Sequence, residues 1–306
     1  MRDTLRGTGE GYVQSTRAPV PEEKRGRPWE PFKRITIRAF GNNKTTLVDH
    51  SGKEWGRKNV TLGGNCIDPV RGCAGGATNG GRGCPWGCYS KESMKRYHRL
   101  FDIPQSMVLK EPLLERDLRS MPEDWVRIGV NGDPCFDWEL TCRVCELCDD
   151  LNKTPVVLSR FWTLPDDVVL ERLKDASVVL HGSLCALDSE LRRTMVLSAL
   201  ERYRDLGGKA VLRLVTFAFP KGSSYQKAQD SLTQWGLVLE QPARLMSTNP
   251  TFQSVDRTEY RPYRSNITGK PSPRWKWAGQ QYPHLDACVT HCWECPNVCM
   301  TRRGED

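Results

Sequence analysis

The chain of 306 residues has no apolar run long enough for a membrane-spanning helix, which needs about 18 residues with few charges. Its richest stretch, Leu212–Phe219, already carries Arg213. The opening residues, MRDTLRGTGEGYVQ, lack the apolar segment of a secretion signal. The chain therefore reads as cytoplasmic, with no membrane partner. Charge of one sign is also missing from its middle. Residues 61–249 hold 24 basic and 24 acidic side chains, against 13 and 7 in residues 1–60 and 8 and 6 in residues 250–306. The net charge of +8 thus lies in the two flanks, as expected if they meet an acidic partner such as nucleic acid. A solvated surface accounts for it equally well, because dedicated nucleic-acid binders are more basic. Hydrophobic residues make up 38% of the chain, which excludes a wholly disordered protein.

Cysteine, in contrast, is plentiful. Thirteen cannot all pair, and a reducing compartment keeps thiols free, so metal or cluster ligation is the better reading. The groups are Cys66, Cys73, Cys84 and Cys88; Cys135, Cys142, Cys145 and Cys148; Cys185 alone; and Cys288, Cys292, Cys295 and Cys299.

Three segments are expected. Residues 1–59 combine a Gly-, Pro- and Arg-rich arm with a short hairpin, ITIRAF (35–40) against KTTLVDHS (44–51). Residues 60–245 alternate strands and helices. NVTLGG (59–64) is the predicted first strand, followed by a Gly- and Cys-rich loop over 64–88. Later strands are predicted at 125–130, 154–159, 177–184, 209–219 and 237–241, with helices over 138–152, 166–175, 189–206 and 223–235. This is an α/β pattern of parallel βα units, too short for a full eight-unit barrel of about 250 residues. A partial (β/α)6 TIM-like barrel is expected. Residues 246–306 form a C-terminal extension, loop-like over 250–284 and closed by the last Cys cluster.

Parallel barrels carry their chemistry on loops after the C-terminal strand ends. Cys73, Cys84 and Cys88 fall on such a loop. Three thiolates on a cubane iron–sulfur cluster leave one iron open for a substrate or cofactor, and the local glycines let the backbone wrap closely. Zinc is the competing reading, although only Cys84 and Cys88 have its usual paired spacing. At the other end, CVTHCWECPNVC places Cys288, Cys292, Cys295 and Cys299 within twelve residues. Four thiolates this close can saturate a second cluster or hold a structural zinc.

The loop GCAGGATNGGRGCPWGCYS resembles that of the radical S-adenosylmethionine (SAM) enzymes. Their usual C-x3-C-x2-C is here C-x10-C-x3-C followed by Tyr89, and longer first gaps occur in a phage-encoded branch. Cys66–Cys73 is similar to the opening of that branch's loop, which leaves open whether Cys66 replaces one of the three ligands. Asn131-Gly132-Asp133-Pro134, VVLSRFWTLPD and LHGSLCALDSELRR are similar, in order, to segments of the spore-photoproduct-lyase-like branch.

The resemblance implies a 4Fe-4S cluster on Cys73, Cys84 and Cys88 that binds SAM, and a 5′-deoxyadenosyl radical that abstracts hydrogen from substrate. It implies Asn131, Gly132 and Asp133 at the methionyl amine of SAM, and Ser159 and Arg160 at its carboxylate. Ser183 is implied on the ribose side, and the Tyr89 backbone at adenine. The C-terminal cysteines then hold an auxiliary 4Fe-4S cluster, and a flavodoxin- or ferredoxin-like reductant is needed. A nucleic acid or modified nucleobase is the favoured substrate. Cys135 and Cys185, near strand ends, are candidates to return a hydrogen atom to a product radical. Cys142, Cys145 and Cys148, at helical spacing, read as packing residues. RPYRSNITGKPSPRWKWAGQQY (261–282) suits stacked bases and phosphates, though a loop clamped over a barrel mouth is preferred. The rival function is a non-catalytic, zinc- or Fe-S-stabilised nucleic-acid-binding protein.

Overall fold

A computed structural model describes residues 34–40, 44–48, 54–60, 62, 65–75, 84, 86, 88, 90–91, 101–102, 104–264, 271–288 and 298–301. Near the N-terminus, β1 (Arg34–Phe40) and β2 (Lys44–Val48) pair antiparallel as expected, and a third strand, β3 (Glu54–Lys58), adds to β2.

The centre is a seven-stranded sheet in which every pairing is parallel. It contains β4 (Cys66–Ile67), β7 (Trp125–Ile128), β8 (Thr154–Ser159), β9 (Val179–Leu184), β10 (Lys209–Thr216), β11 (Val238–Pro242) and β15 (Asp286–Ala287), side by side in chain order. β5 (Val70–Arg71) and β6 (Gln105–Ser106) form a small antiparallel pair beside it. The first sheet strand is not 59–64. Leu62 lies antiparallel to Ile67, so the chain reverses between them, and only the later arm runs parallel to β7.

The helices follow from apolar spacing and caps. Asp137, Asp166, Ser189 and Ser223 each accept a backbone N–H through the side chain. They open α2 (Trp138–Asp149), α3 (Asp167–Asp175), α4 (Glu190–Asp205) and α5 (Ser224–Leu232). Gly207, at φ 87°, ends α4 in the left-handed region that glycine tolerates. α1 (Glu111–Ser120) is unexpected, since its buried anchors are only Leu114 and Leu118, one turn apart among charged residues.

Strand alternation sorts the sheet into two faces. Ile128, Val157, Leu180, Leu212 and Leu214 pack with the buried residues of the helices, including Cys142, Cys145 and Cys148 of α2. Trp125, Val156, Val179, Val211 and Leu239 pack instead with Cys299 and Met300 near the C-terminus. Segment 250–284 is not one long loop. β12 (Arg244–Met246), β13 (Arg261–Arg264) and β14 (Pro271–Trp277) form an antiparallel sheet, with β14 central. Prolines interrupt its strands and hide the alternation from the sequence, while a backbone ladder and buried Leu245 hold it in place.

Candidate functional site

Asn131, Gly132 and Asp133 follow β7. Gly132 bridges in parallel to Gly72. Gly72 N donates to Asn131 O at 3.1 Å, and Asp133 N to Gly72 O at 3.3 Å. A Cβ on Gly132 would stand 2.2 Å from Val70 O, so only glycine permits this approach. The result sets Cys73 next to Asp133. Asp68 secures the turn from below: its carboxylate accepts Val130 N at 2.6 Å, Asn131 N at 2.9 Å and Asn131 Nδ2 at 2.7 Å.

The buried Asp133 carboxylate ties neighbouring strand ends together. It accepts Ser159 Oγ at 2.6 Å, Arg160 N at 2.8 Å and Cys135 N at 3.2 Å. Ser159 Oγ in turn accepts Phe161 N at 2.8 Å. Arg160 spans to the end of β9. Its Nη1 donates to Ser183 O at 2.7 Å, and the guanidinium pairs with both oxygens of Asp188. Burial opposes both charges, but each supports the other. The Asp188 carboxyl stays below the ordinary carboxylate range, and Arg160 stays charged.

Indole rings enclose this pair. The Arg160 Cζ lies 5.0 Å from the Trp86 ring centre and 5.3 Å from that of Trp162, and Arg192 Cζ lies 4.0 Å over Trp162. Arg192 also donates to Arg160 O. Trp162 packs over Gly75, just past Cys73, where a Cβ would meet its ring at 2.5 Å. Three buried donors, Arg160 Nε, Arg192 Nε and Trp162 Nε1, have no acceptor among the described residues. Two guanidinium groups face the single Asp188 carboxylate here, and the three spare donors are of the kind that an anion accepts.

The three loop thiols share one electrostatic neighbourhood. Burial raises the Cys73 thiol most, and Asp133, Cys84 and Cys88 add to it. Burial likewise pushes Cys84 up to about 12, with Arg160 pulling the other way. The Cys88 thiol is raised too, chiefly by burial. Two sulfurs already accept backbone N–H groups, Cys73 from Gly75 at 3.3 Å and Cys88 from Lys91 at 3.4 Å. Among the described residues no three His, Cys, Asp or Glu side chains stand together as a ready-made metal site. In chemistry the donors fit an iron–sulfur cluster: thiolates, backbone N–H groups aimed at sulfur and an adjacent cation are what such a cluster uses. Thiols raised by burial also require a cation to become thiolates.

Cys288 and Cys299, the outer members of the C-terminal group, border the sheet. Arg213 Nη2 donates to Cys288 Sγ at 3.0 Å, and Cys288 N donates to Glu240 O at 2.7 Å. Cys299 O lies 3.0 Å from His181 Nε2. Cys292, Cys295 and Tyr89 lie outside the described residues.

Each of the other expected positions stands at the C-terminal end of the sheet, though several are already engaged. Asn131 is bound to Asp68, Ser159 to Asp133, and both Nη atoms of Arg160 to Asp188 and Ser183. Cys135 and Cys185 are both buried, and burial raises both thiols. Cys66, half-buried within β4, lies one strand before Cys73. Sequence reasoning missed Asp68, Asp188, Arg192 and Trp162. The run LDSELRR contained two of them, but their partners lie far away in the chain. No protein-family model matches this sequence, and no curated protein matches it.

Proposed function

We propose that the chain is a radical SAM enzyme on a partial (β/α) barrel. Cys73, Cys84 and Cys88 would hold a 4Fe-4S cluster, and Cys288, Cys292, Cys295 and Cys299 an auxiliary one. One observation carries this reading: the Gly72–Asp133 approach sets Cys73 beside Asp133, and the buried Cys84 thiol lies within reach of the Arg160 charge, beside donors that have no acceptor among the described residues. The sequential order of the parallel strands supports it, since crossovers that never reverse keep the helices on one face, as in barrels.

A cluster held by Cys73, Cys84 and Cys88 would supply the one-electron chemistry for reductive cleavage of SAM and hydrogen-atom abstraction from substrate. The chain's own groups would bind and orient. Arg160 Nε, Arg192 Nε and Trp162 Nε1 offer donors to a carboxylate, while Asp188 holds the Arg160 fork in place. Trp86 and Trp162 cover the guanidinium and limit water near it. A reductant of the flavodoxin or ferredoxin type would supply the electron, and a nucleic acid or modified nucleobase is the favoured substrate.

Anaerobic purification with iron and sulfide counts, followed by reduction with SAM, tests the reading. The expected result is 5′-deoxyadenosine that vanishes in Cys84→Ala, with loss of only one cluster's iron in Cys292→Ala. Zinc in place of iron, and no SAM cleavage, would instead identify a non-catalytic metal-stabilised protein.

A further inference from the structure

We propose that the outer face of the β12–β14–β13 sheet binds single-stranded nucleic acid, stacking bases on its aromatic rings and meeting phosphates with its arginines. Register decides which side chains share that face, because residues opposite one another in an antiparallel pair point the same way. Trp277 stands opposite Arg244 on one side and Arg261 on the other, and Trp275 stands opposite Met246. Tyr263 joins them, its ring 6.2 Å from that of Trp277 and stacked under Arg244 Cζ at 4.1 Å. The reverse face carries Leu245, fully buried in a cluster with Ala243, Val255 and Tyr260. The aromatic face therefore points away from the core.

An antiparallel sheet with one covered face ordinarily shows polar side chains on the other. Here that face carries two indoles, a phenol and a thioether, all half-buried, beside exposed Arg244 and Arg261. Basic residues alone would be explained as guards on edge strands, but guarding an edge does not call for rings. The charge is also one-sided. The segment between Tyr260 and Leu285 holds no Asp or Glu, so no carboxylate of β13 or β14 offsets Arg244 and Arg261 on this face. The Arg261 guanidinium turns back to Thr258 O and Tyr260 O, whereas Arg244 lies over the Tyr263 ring. Flat rings interleaved with cations match the two features every single strand offers, π-faces and phosphates. The mode is tolerant of sequence, and a duplex, with its bases already stacked, cannot use it.

The test is fluorescence anisotropy with labelled oligo-dT and oligo-U of roughly 20 nucleotides, a few times the footprint of one small domain, and a duplex of equal length for comparison. The full chain is used, and neither SAM nor reductant is needed. Failure here therefore leaves the radical reading standing, and failure of SAM cleavage leaves this one standing. Single strands should bind more tightly than duplex, quench tryptophan fluorescence, and weaken linearly in log–log form between about 50 and 200 mM salt. Trp277→Ala should weaken binding by about 5- to 100-fold, as expected for loss of a stacked base, and Trp277→Phe should restore most of it. Arg244→Gln should reduce the salt slope by about 0.7, one phosphate contact on a single strand. Circular dichroism separates lost binding from lost folding, and Trp277→Phe keeps the test decisive if the alanine variant misfolds. Absence of binding at low salt, preference for duplex, or equal affinity in wild type and a folded Trp277→Ala variant would each overturn the proposal.

Discussion

The Arg160 guanidinium and the Asp188 carboxylate meet as a buried fork, Nη2 to Oδ1 at 2.6 Å and Nη1 to Oδ2 at 3.1 Å. Their side chains are only 9% and 1% exposed. Removing one member strands the other charge without water. Asp188→Ala should therefore cost about 3–5 kcal/mol, whereas Arg160→Met with Asp188→Leu should stay near wild-type stability. The pH dependence has a definite sign. Asp188 in the folded protein lies below its ordinary value of 3.8. Its contribution is complete above that value and is lost as pH falls through the folded one. Urea midpoints of wild type and the double variant should therefore lie close together near neutrality and part only in that acid range, where the wild type alone loses stability; midpoints that stay parallel through it would disprove the assignment.

Asp133 performs a different task, closing strand ends with three accepted hydrogen bonds. Ser159→Ala removes one partner and should cost about 1–3 kcal/mol. Asp133→Ala leaves Ser159 Oγ, Arg160 N and Cys135 N all without that acceptor, so its loss should be clearly larger. Equal midpoints for the two variants would show that the carboxylate does not carry this junction.

Much of the parallel sheet was legible because its signals are local. TPVVLS is a continuous apolar run, and it forms β8 without a residue's difference. The expected helix over 189–206 matches α4 once its cap residues are set aside, because Ser189 and the Gly207 turn mark its ends. The expected strand at 59–64 failed because pairing depends on which arm of a reversal runs parallel to β7, and periodicity does not carry that information. β13 and β14 were hidden for a related reason: Pro262, Pro271 and Pro273 break the pattern, and the register comes from Arg244–Met246 across a loop. At the site, the strand-end positions Asp133, Ser159 and Arg160 could be placed from the strand pattern. Their partners could not. Arg160 reaches Asp188 over a separation of 28 residues, and nothing in local sequence pairs them.

Gly132 is a sharper test of the packing around the Cys loop. A Cβ there would meet Val70 O at 2.2 Å and Arg71 Cα at 2.9 Å, both backbone atoms that cannot swing aside. Gly132→Ala should destabilise by at least about 1–3 kcal/mol, the usual cost of overpacking. Hydrogen exchange should rise at Gly72 N and Asp133 N, the two amides that tie the segments together. The comparison variant is Gly236→Ala, whose Cβ would meet only the Arg204 side-chain tip at 3.3 Å, and this change should be far milder. If both glycines tolerate alanine equally, the close approach of the Cys73 and Asp133 segments is wrong.

The α2 thiols give a prediction at the opposite end of the pH scale. Cys142 and Cys148 are fully buried, and burial pushes each from 9.0 up to about 12. Unfolded chains release these protons near the ordinary value while the native fold retains them. Between the two values the native state binds more protons, so stability falls as pH rises. Each thiol contributes a slope of at most about 1.4 kcal/mol per pH unit. Replacing both with Ala should lower stability near neutrality by opening small cavities, yet flatten the alkaline decline by up to about 2–3 kcal/mol per pH unit. Anaerobic urea titrations between about pH 8 and pH 11 measure this directly, and the two proteins should draw together as pH rises. A constant gap across that range would mean that these thiols ionise as readily folded as unfolded, contrary to their burial against the sheet.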